Sequence, residues 1–445
     1  MVNFIDGSGG KTVLLLQGPV GGFFGHLGKG LVENGYKVVK VHFNAADRLL
    51  DVVPGSLDFT GPLAEWPAFF ERLCRRHFPA LVLMFGDRRP VHAAASDVCK
   101  RLAVPVYSFE EGYIRPNYVT FEPHGNNARS LLASTFLAVA PVGEPAVPPP
   151  AVAELRSAFW PMSRAAILYS CLVAAGRQAL RSGLHHRERS LRSETAAWAR
   201  CAMRHLASRR RDAVAQDRLT SESPKKYFIL GLQVFDDLQI KHHAKGWTAE
   251  TLLRAAIASF ARSAPADARL VVKQHPLDLG HRSYEKLAVD LAEAAGCLDR
   301  VLYLRTGHAP TLLRHAAGLI TINSTLGLSA LHHNCPVLVI GNAFYARDGL
   351  ASRLADVSSF DDFWTAPPQV DRELAARFRQ HVINHSQLNG SFYLRSSWPL
   401  LLAQVEDRLR LSEIDKAVIR REIPAWKSRG FPSTYGRPLL ERHLL

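Results

Sequence analysis

The sequence predicts an α/β protein with two Rossmann-like domains facing a cleft, a basic helical insert between them and helices at the C-terminal end. Three observations carry this. Short apolar runs alternate with helical patterns over the first 120 residues, the alternation stops between about 145 and 222, and it resumes at 227. The 445-residue chain is also long enough for two or three domains of ~100–200 residues each.

TVLLLQ (12–17) reads as the first strand, followed by the turn GPVGGFF and a helix through about Asn34. KVVKVHF (37–43), ALVLMFG (80–86) and PVYSFEEG (105–112) are further strands, with a helix near 93–102 before the last. Strands that are apolar throughout are buried on both faces, as in a parallel sheet covered by helices. This gives an N-terminal domain over 1–144. EPAVPPPAV (144–152) breaks the pattern and opens an Arg-rich helical insert over 145–222. From 151 to 222 there are 13 Arg, no Lys and 6 acidic residues, a net of +7 against +15 for the whole chain. Phe159, Trp160, Ile167, Leu168, Leu172 and Val173 are interleaved with that charge.

The second α/β domain, 223–365, repeats the first pattern. YFILGLQ (227–233), RLVVKQH (269–275), RVLYL (300–304), GLITIN (318–323) and PVLVIG (336–341) are its strands, with helices over 249–263 and near 284–295. Residues 366–445 read as a helical segment packing back on the first half. Two Rossmann-like halves joined in this way follow the GT-B plan.

The 55 Lys and Arg against 40 Asp and Glu point to an anionic partner (nucleic acid, an anionic membrane or a phosphorylated substrate) unless the protein is simply soluble and basic. Zinc spacing, an RNP-like aromatic pattern and a recognition helix are all missing, which speaks against nucleic acid. The six cysteines are scattered and fit a reducing compartment, and no metal site is expected. The N-terminus lacks the pattern of a signal peptide. The longest weakly polar stretch, AAILYSCLVAAG (165–176), is well short of the ~20 residues a spanning helix requires. A cytoplasmic protein is expected, with a membrane surface among its candidate partners.

GSGGKT (7–12) is not a P-loop, because the pattern requires glycine where Ile5 stands and should follow a strand. GPVGGFF is better placed. Gly18, Gly21 and Gly22 between a strand and a helix either present free N–H groups to an anion or simply allow a tight, closely packed turn. FEEGYIRP puts Glu110 and Glu111 at the C-terminal end of a strand, where α/β sheets bind ligands. Successive strand residues point in opposite directions, so one of the two faces the cleft as an acid–base group, unless both are merely solvated. LQVFDDLQI (232–240) similarly offers one carboxylate of Asp236 and Asp237 as a nucleophile or base.

In KQHP, Lys273 and His275 fall on one side of an extended strand, and Pro276 keeps His275 out of a helix interior. Both suit a phosphate. Asn323, Ser324 and Thr325 follow a strand and open a helix near Leu326, forming an anion cradle or an ordinary cap. Cys335 reads as a small buried residue.

Taken in order, GPVGGFF, FEEGYIRP, LQ-x₃-D-x-Q, K-x-HPLD and INST-x-GLSAL-x₄-PV resemble the KpsS-type capsule polysaccharide biosynthesis proteins, from about residue 12 to 365. The resemblance implies a retaining, metal-free β-Kdo glycosyltransferase that needs no cofactor. Its donor would be CMP-β-Kdo (Kdo, 3-deoxy-D-manno-oct-2-ulosonic acid) and its acceptor lyso-phosphatidylglycerol, starting the poly-Kdo linker of a capsule. It also implies a peripheral place on the inner face of the inner membrane, among other capsule assembly and export proteins. By this resemblance Asp237 is the catalytic carboxylate, with Glu110 and Glu111 as the acidic pair. His275 with Pro276 and Lys273, and Asn323, Ser324 and Thr325, bind the donor. The alternatives are a non-catalytic capsule-export scaffold and a basic nucleic-acid-binding protein.

Overall fold

The computed structural model describes residues 11–139, 155, 158–176, 191–233, 244, 246–275, 284–354 and 358–410. Its strands are β1 (Thr12–Leu15), β2 (Lys37–His42), β3 (Leu57–Asp58), β4 (Leu81–Phe85), β5 (Val106–Glu111) and β6 (Tyr118–Pro123) in the first half. The second half contributes β7 (Tyr227–Gly231), β8 (Arg269–Lys273), β9 (Val301–Leu304), β10 (Gly318–Thr321), β11 (Val337–Val339), β12 (Ser352–Arg353) and β13 (Gln387–Asn389). They form two sheets, ordered β13-β6-β5-β4-β1-β2-β3 and β12-β11-β10-β7-β8-β9.

The helices are α1 (Phe23–Glu33), α2 (Ala45–Leu50), α3 (Trp66–His77), α4 (Pro90–Arg101), α5 (Leu132–Val139), α6 (Phe159–Ala175) and α7 (Leu191–Glu222). They continue with α8 (Ala249–Ser263), α9 (Tyr284–Ala294), α10 (Ala309–His315), α11 (Leu326–His332), α12 (Ser358–Thr365) and α13 (Arg372–Ser386). Each sheet is covered on both faces. In the first, Phe70 and Leu73 of α3 with Ala95 and Val98 of α4 pack on one side. Phe23, Leu27 and Leu31 of α1 pack on the other. In the second, α8, α9 and α12 cover one face around Leu253, Ala288 and Trp364. The opposite face buries Leu219 of α7, Leu331 of α11 and Phe378 of α13.

The alternation of strand and helix in the sequence thus has the structure it implies, two layered α/β units of GT-B type. Two features depart from it. The first sheet is mixed, because β6 pairs antiparallel with β5 and β13 pairs antiparallel with β6. And the segment after 365, expected to be helical, supplies β13 as well as helical residues 398–410. Leu388, Phe392, Leu401, Val405 and Leu409 of this returning segment enter the core beneath α1. Full burial of such side chains stabilises by about 1.5–3 kcal/mol each before ordering costs, enough to hold the segment in place. Gly30 of α1 makes room for it, since a Cβ there would fall 2.2 Å from Leu402.

The halves also share a core. Tyr113, Leu132 and Phe136 from the first half lie in the same apolar cluster as α11 and α13. The Tyr113 ring sits 4.8 Å from Phe344, and Phe136 meets Phe378 edge-on at 5.1 Å.

Candidate functional site

Each sheet has one place where the crossovers reverse direction, and ligands of open α/β sheets bind there, outside the strands' carboxyl ends. In the first sheet it lies between β1 and β4. A buried guanidinium fills it. Arg89 Nη1 donates to Gln17 Oε1 at 2.7 Å and to the Gly18 carbonyl at 3.1 Å, and its guanidinium lies 5.0 Å from the Phe85 ring centre. Gln17 Nε2 in turn donates to Asp47 Oδ2 and Tyr169 Oη, each at 3.2 Å. Tyr169 donates to Asp47 Oδ1 at 2.7 Å and accepts from Asn44 Nδ2 at 2.8 Å.

Tyr169 belongs to α6, so the helical insert is pinned across this crevice by a hydrogen-bonded polar cluster. Burial is the main influence on both ends of it, drawing the Arg89 pKa down and the Tyr169 pKa far up. The glycines of GPVGG lie in close quarters. A Cβ at Gly18 would lie 2.6 Å from the Phe24 ring, Gly22 abuts the Leu50 carbonyl, and Gly21 has a φ of +113°. At Gly21 a side chain would also approach Ala165 of α6.

Glu110 and Glu111 end β5, and their side chains take different surroundings. Glu111 accepts a hydrogen bond from the Tyr393 hydroxyl at 2.8 Å. Glu110 Oε1 accepts from the Glu111 amide at 3.1 Å, and its carboxylate lies on the Gly86 and Arg89 side. Two residues further on, the Tyr113 amide donates to Gln387 Oε1 of β13 at 3.0 Å, which ties the loop 112–116 to the returning segment. Tyr393 and Gln387 were invisible to sequence reasoning, since they lie in a polar stretch nearly 300 residues from the motif they serve.

In the second sheet the reversal lies between β7 and β10. Gln233, just past β7, and Asn323, just past β10, clasp each other there. Gln233 Nε2 donates to Asn323 Oδ1 at 2.9 Å, and the Asn323 amide donates back to Gln233 Oε1 at 3.1 Å. The Asn323 side chain therefore fixes the two strand ends. Ser324 Oγ accepts from the Leu326 amide at 3.1 Å as α11 begins, and the Ser324 carbonyl accepts from the Tyr345 hydroxyl. Thr325 is the N-cap residue of α11 and makes no side-chain capping bond. Asp236, Asp237 and Pro276 lie outside the described residues.

Lys273 and His275 flank this crevice on the β8 side. Lys273 is buried, and its Nζ donates to the carbonyls of Gln274 and Arg305 at 3.0 and 3.3 Å. Burial brings its pKa down to about 8, against the pull of Asp212. His275 is half-buried. Burial first, then the charges of Arg115 and Lys273, bring its pKa to about 4, so it is a neutral imidazole at pH 7. Arg115 comes from the loop after β5, so its influence on His275 crosses between the two halves. A cavity of about 220 Å³ also lies at their junction, between Ala128 and Ser130 on one side and Phe344, Arg347 and Arg353 on the other. The Arg347 Nε has no hydrogen-bond partner among the described residues. Neither arginine stands out in the sequence, because the segment 341–353 carries no motif.

Among the described residues no three His, Cys, Asp or Glu side chains group as a metal ion would need, and no helix is long and apolar enough to cross a membrane.

Two doubly wound domains, joined by helices and closed by a returning C-terminal segment, define a GT-B-like protein. The chain belongs to the capsule polysaccharide biosynthesis protein family, which it matches over residues 80–393. It is 34% identical over 384 residues to the capsule polysaccharide export protein KpsS of Escherichia coli, covering 86% of this chain and 97% of that protein. It is 33% identical over 398 residues to the capsule polysaccharide modification protein LipB of Neisseria meningitidis serogroup A, covering 87% and 93%. Among solved structures it is similar to KpsC of Thermosulfurimonas dismutans, a beta Kdo 2,7 transferase, at 16% identity and a TM-score of 0.38, covering 78% of this chain and 89% of that one.

Proposed function

We propose that the protein is a retaining β-Kdo glycosyltransferase that moves Kdo from CMP-β-Kdo to lyso-phosphatidylglycerol and so starts the poly-Kdo linker of a capsular polysaccharide. The observation that carries this reading is the second crevice. Its two strand ends are locked by the Gln233–Asn323 pair, and Lys273, His275 and Arg115 stand beside it. CMP-Kdo brings a phosphate and a sugar carboxylate, and preorganised cations and N–H donors stabilise such charge as the nucleotide departs. In this reading neither metal nor cofactor is required, because Lys273, Arg115, neutral His275 and the Ser324–Thr325 turn supply the donors.

The chemistry follows two displacements. A carboxylate oxygen of Asp237 bonds to the anomeric carbon as the bond from that carbon to the phosphate oxygen breaks, and CMP leaves with the electron pair. The acceptor hydroxyl oxygen then bonds to the same carbon, the ester to Asp237 breaks, and the hydroxyl proton passes to one carboxylate of the Glu110–Glu111 pair. Two inversions leave the anomeric configuration unchanged.

A lipid acceptor fits the basic insert. On α6, Trp160, Ile167 and Leu168 are 70%, 57% and 50% exposed, and with exposed Arg164 they form one stripe at helical spacing. Such a face suits the anionic inner leaflet of the inner membrane, with each basic residue contributing ~1 kcal/mol. Other capsule assembly proteins are the expected neighbours.

The test is transfer itself. Purified protein with CMP-Kdo and lyso-phosphatidylglycerol should release CMP and yield a Kdo-lipid. Without acceptor, mass spectrometry should find Kdo on the peptide containing Asp237. An active Asp237→Ala enzyme, or an adduct on Glu110 or Glu111, overturns the mechanism. A protein inert toward CMP-Kdo is instead the export scaffold. Binding to vesicles that ignores salt and lipid charge removes the membrane role, since exposed charges are screened over ~8–10 Å at physiological salt.

A further inference from the structure

The cavity of about 220 Å³ at the junction of the halves is cationic, and no carboxylate lines it. Arg353 Nε donates to the Ala346 carbonyl at 2.7 Å. Arg347 Nε is buried without a partner, and neither arginine pairs with a carboxylate among the described residues. Burial first, then the charge of Arg353, draws the Arg347 pKa down. An orphaned buried donor beside a like charge is a standing cost, and an anion shared by the two guanidiniums removes both parts of it. Ser130 already donates its hydroxyl to Glu122 at 2.6 Å. The side-chain donors lining the cavity are therefore the two guanidiniums and the Asn342 amide.

This cavity stands beside the donor motif. The Gly341 amide, just past β11, donates to the Ile322 carbonyl at 2.8 Å, and the Tyr345 hydroxyl donates to the Ser324 carbonyl. Because β11 pairs with β10, their ends lie one strand spacing apart, ~4.8 Å. At about 220 Å³ the space is smaller than the ~300–1,000 Å³ of a pocket that takes a whole small molecule, so it fits one part of a larger ligand.

In CMP-Kdo the carboxylate and the oxygen that carries the phosphate are attached to the same anomeric carbon, so their sites must adjoin. With the phosphate at the Ser324–Thr325 turn, the carboxylate falls at the neighbouring strand end. A guanidinium fork matches a planar carboxylate better than it matches any neutral group. We infer that Arg347 and Arg353 bind the sugar carboxylate of the donor and so select a sugar acid over a neutral sugar. The inference rests on the transferase reading.

The experiment is steady-state transfer by the full-length protein with CMP as inhibitor, because CMP carries the phosphate and lacks the carboxylate. Arg347→Met and Arg353→Met should each raise KM for CMP-Kdo by about tenfold or more, as loss of a charge-assisted hydrogen bond does, and leave inhibition by CMP unchanged. Arg347 makes no side-chain hydrogen bond among the described residues, so its loss should leave the melting temperature unchanged. It covers the case in which Arg353→Met, which loses the bond to Ala346, does not fold. Independently of transfer, calorimetry on the CMP-bound protein compares 2-deoxy-Kdo with its carboxamide. The acid should bind, the amide about tenfold more weakly or worse, and Arg347→Met should remove the difference.

Inhibition by CMP that weakens in step with KM puts the nucleotide phosphate in the cavity, and a raised KM for the acceptor alone puts the acceptor's phosphate there. Either overturns the assignment. An unchanged KM in a folded Arg347→Met protein overturns it too, and transfer then stands. If the wild-type protein transfers no Kdo yet tells acid from amide through Arg347, the carboxylate site stands and the transferase reading falls. Equal binding of acid and amide, or binding of neither, overturns the site whether or not Kdo is transferred.

Discussion

The two crevices are built on the same principle and finished differently. In the first sheet, between β1 and β4, a charged and polar cluster of Arg89, Gln17, Asp47, Asn44 and Tyr169 fills the space, and α6 lies across it. In the second, between β7 and β10, one neutral amide pair joins the strand ends, and the charged groups stand around it. A buried guanidinium held by several fixed acceptors is expensive to expose, which favours a structural role for the Arg89 cluster itself, beside the Glu110–Glu111 pair at the end of β5. The difference teaches that a topological reversal point is an opportunity for binding, which side chains either take or block.

Breaking the second crevice should have the largest effect on activity. His275→Ala should lower Kdo transfer by ~10²–10³ at saturating donor, with the melting temperature unchanged, because a donor aimed at developing phosphate charge is lost. Single-turnover CMP release measures it, and a loss matched by unfolding would erase the contrast.

Breaking the first should act on stability. Arg89→Met leaves Gln17 Oε1, the Gly18 carbonyl and the nearby carboxylates without their buried cation, at a cost of about 3 kcal/mol in denaturant unfolding. The folded fraction should still transfer Kdo. A variant that is stable and inactive would show that Arg89 meets substrate, and the two crevices would then be equivalent.

Tyr169→Phe is the gentler probe of the same plug. It removes one donated and two accepted hydrogen bonds and should cost ~1–2 kcal/mol. Amide exchange should quicken in α6 before it does in the sheet.

The smallest effect separates the crevices by titration. Each has a neutral histidine beside it, His275 at about 4 and fully buried His92 at about 3 against an ordinary 6.5, both mainly through burial. The unfolded chain binds protons below 6.5 that these folded groups refuse, so their contribution to stability falls as pH drops from 6.5 toward 4, and His92→Asn should remove its share of that dependence. Adding CMP should raise the His275 pKa and leave His92 unmoved in an NMR titration. An equal response from both would contradict the placement of the nucleotide.

By itself the sequence located the nine apolar strands and several of the helices, and with them the side chains at their ends. An apolar run such as TVLL or VLYL between turn residues is a local signal, and burial on both faces follows from it. The start of α11 at Leu326 is an equally local consequence of the turn at Ser324. What only the tertiary structure decided was which of these ends meet. The antiparallel β6 and β13, the Tyr393–Glu111 bond, the Tyr169 plug and the approach of Arg115 to His275 join residues from dozens to nearly 300 positions apart. No periodicity encodes such pairs. They exist because packing the two halves and returning the C-terminal segment bury these polar groups together, and a buried polar group takes the partner that burial leaves beside it.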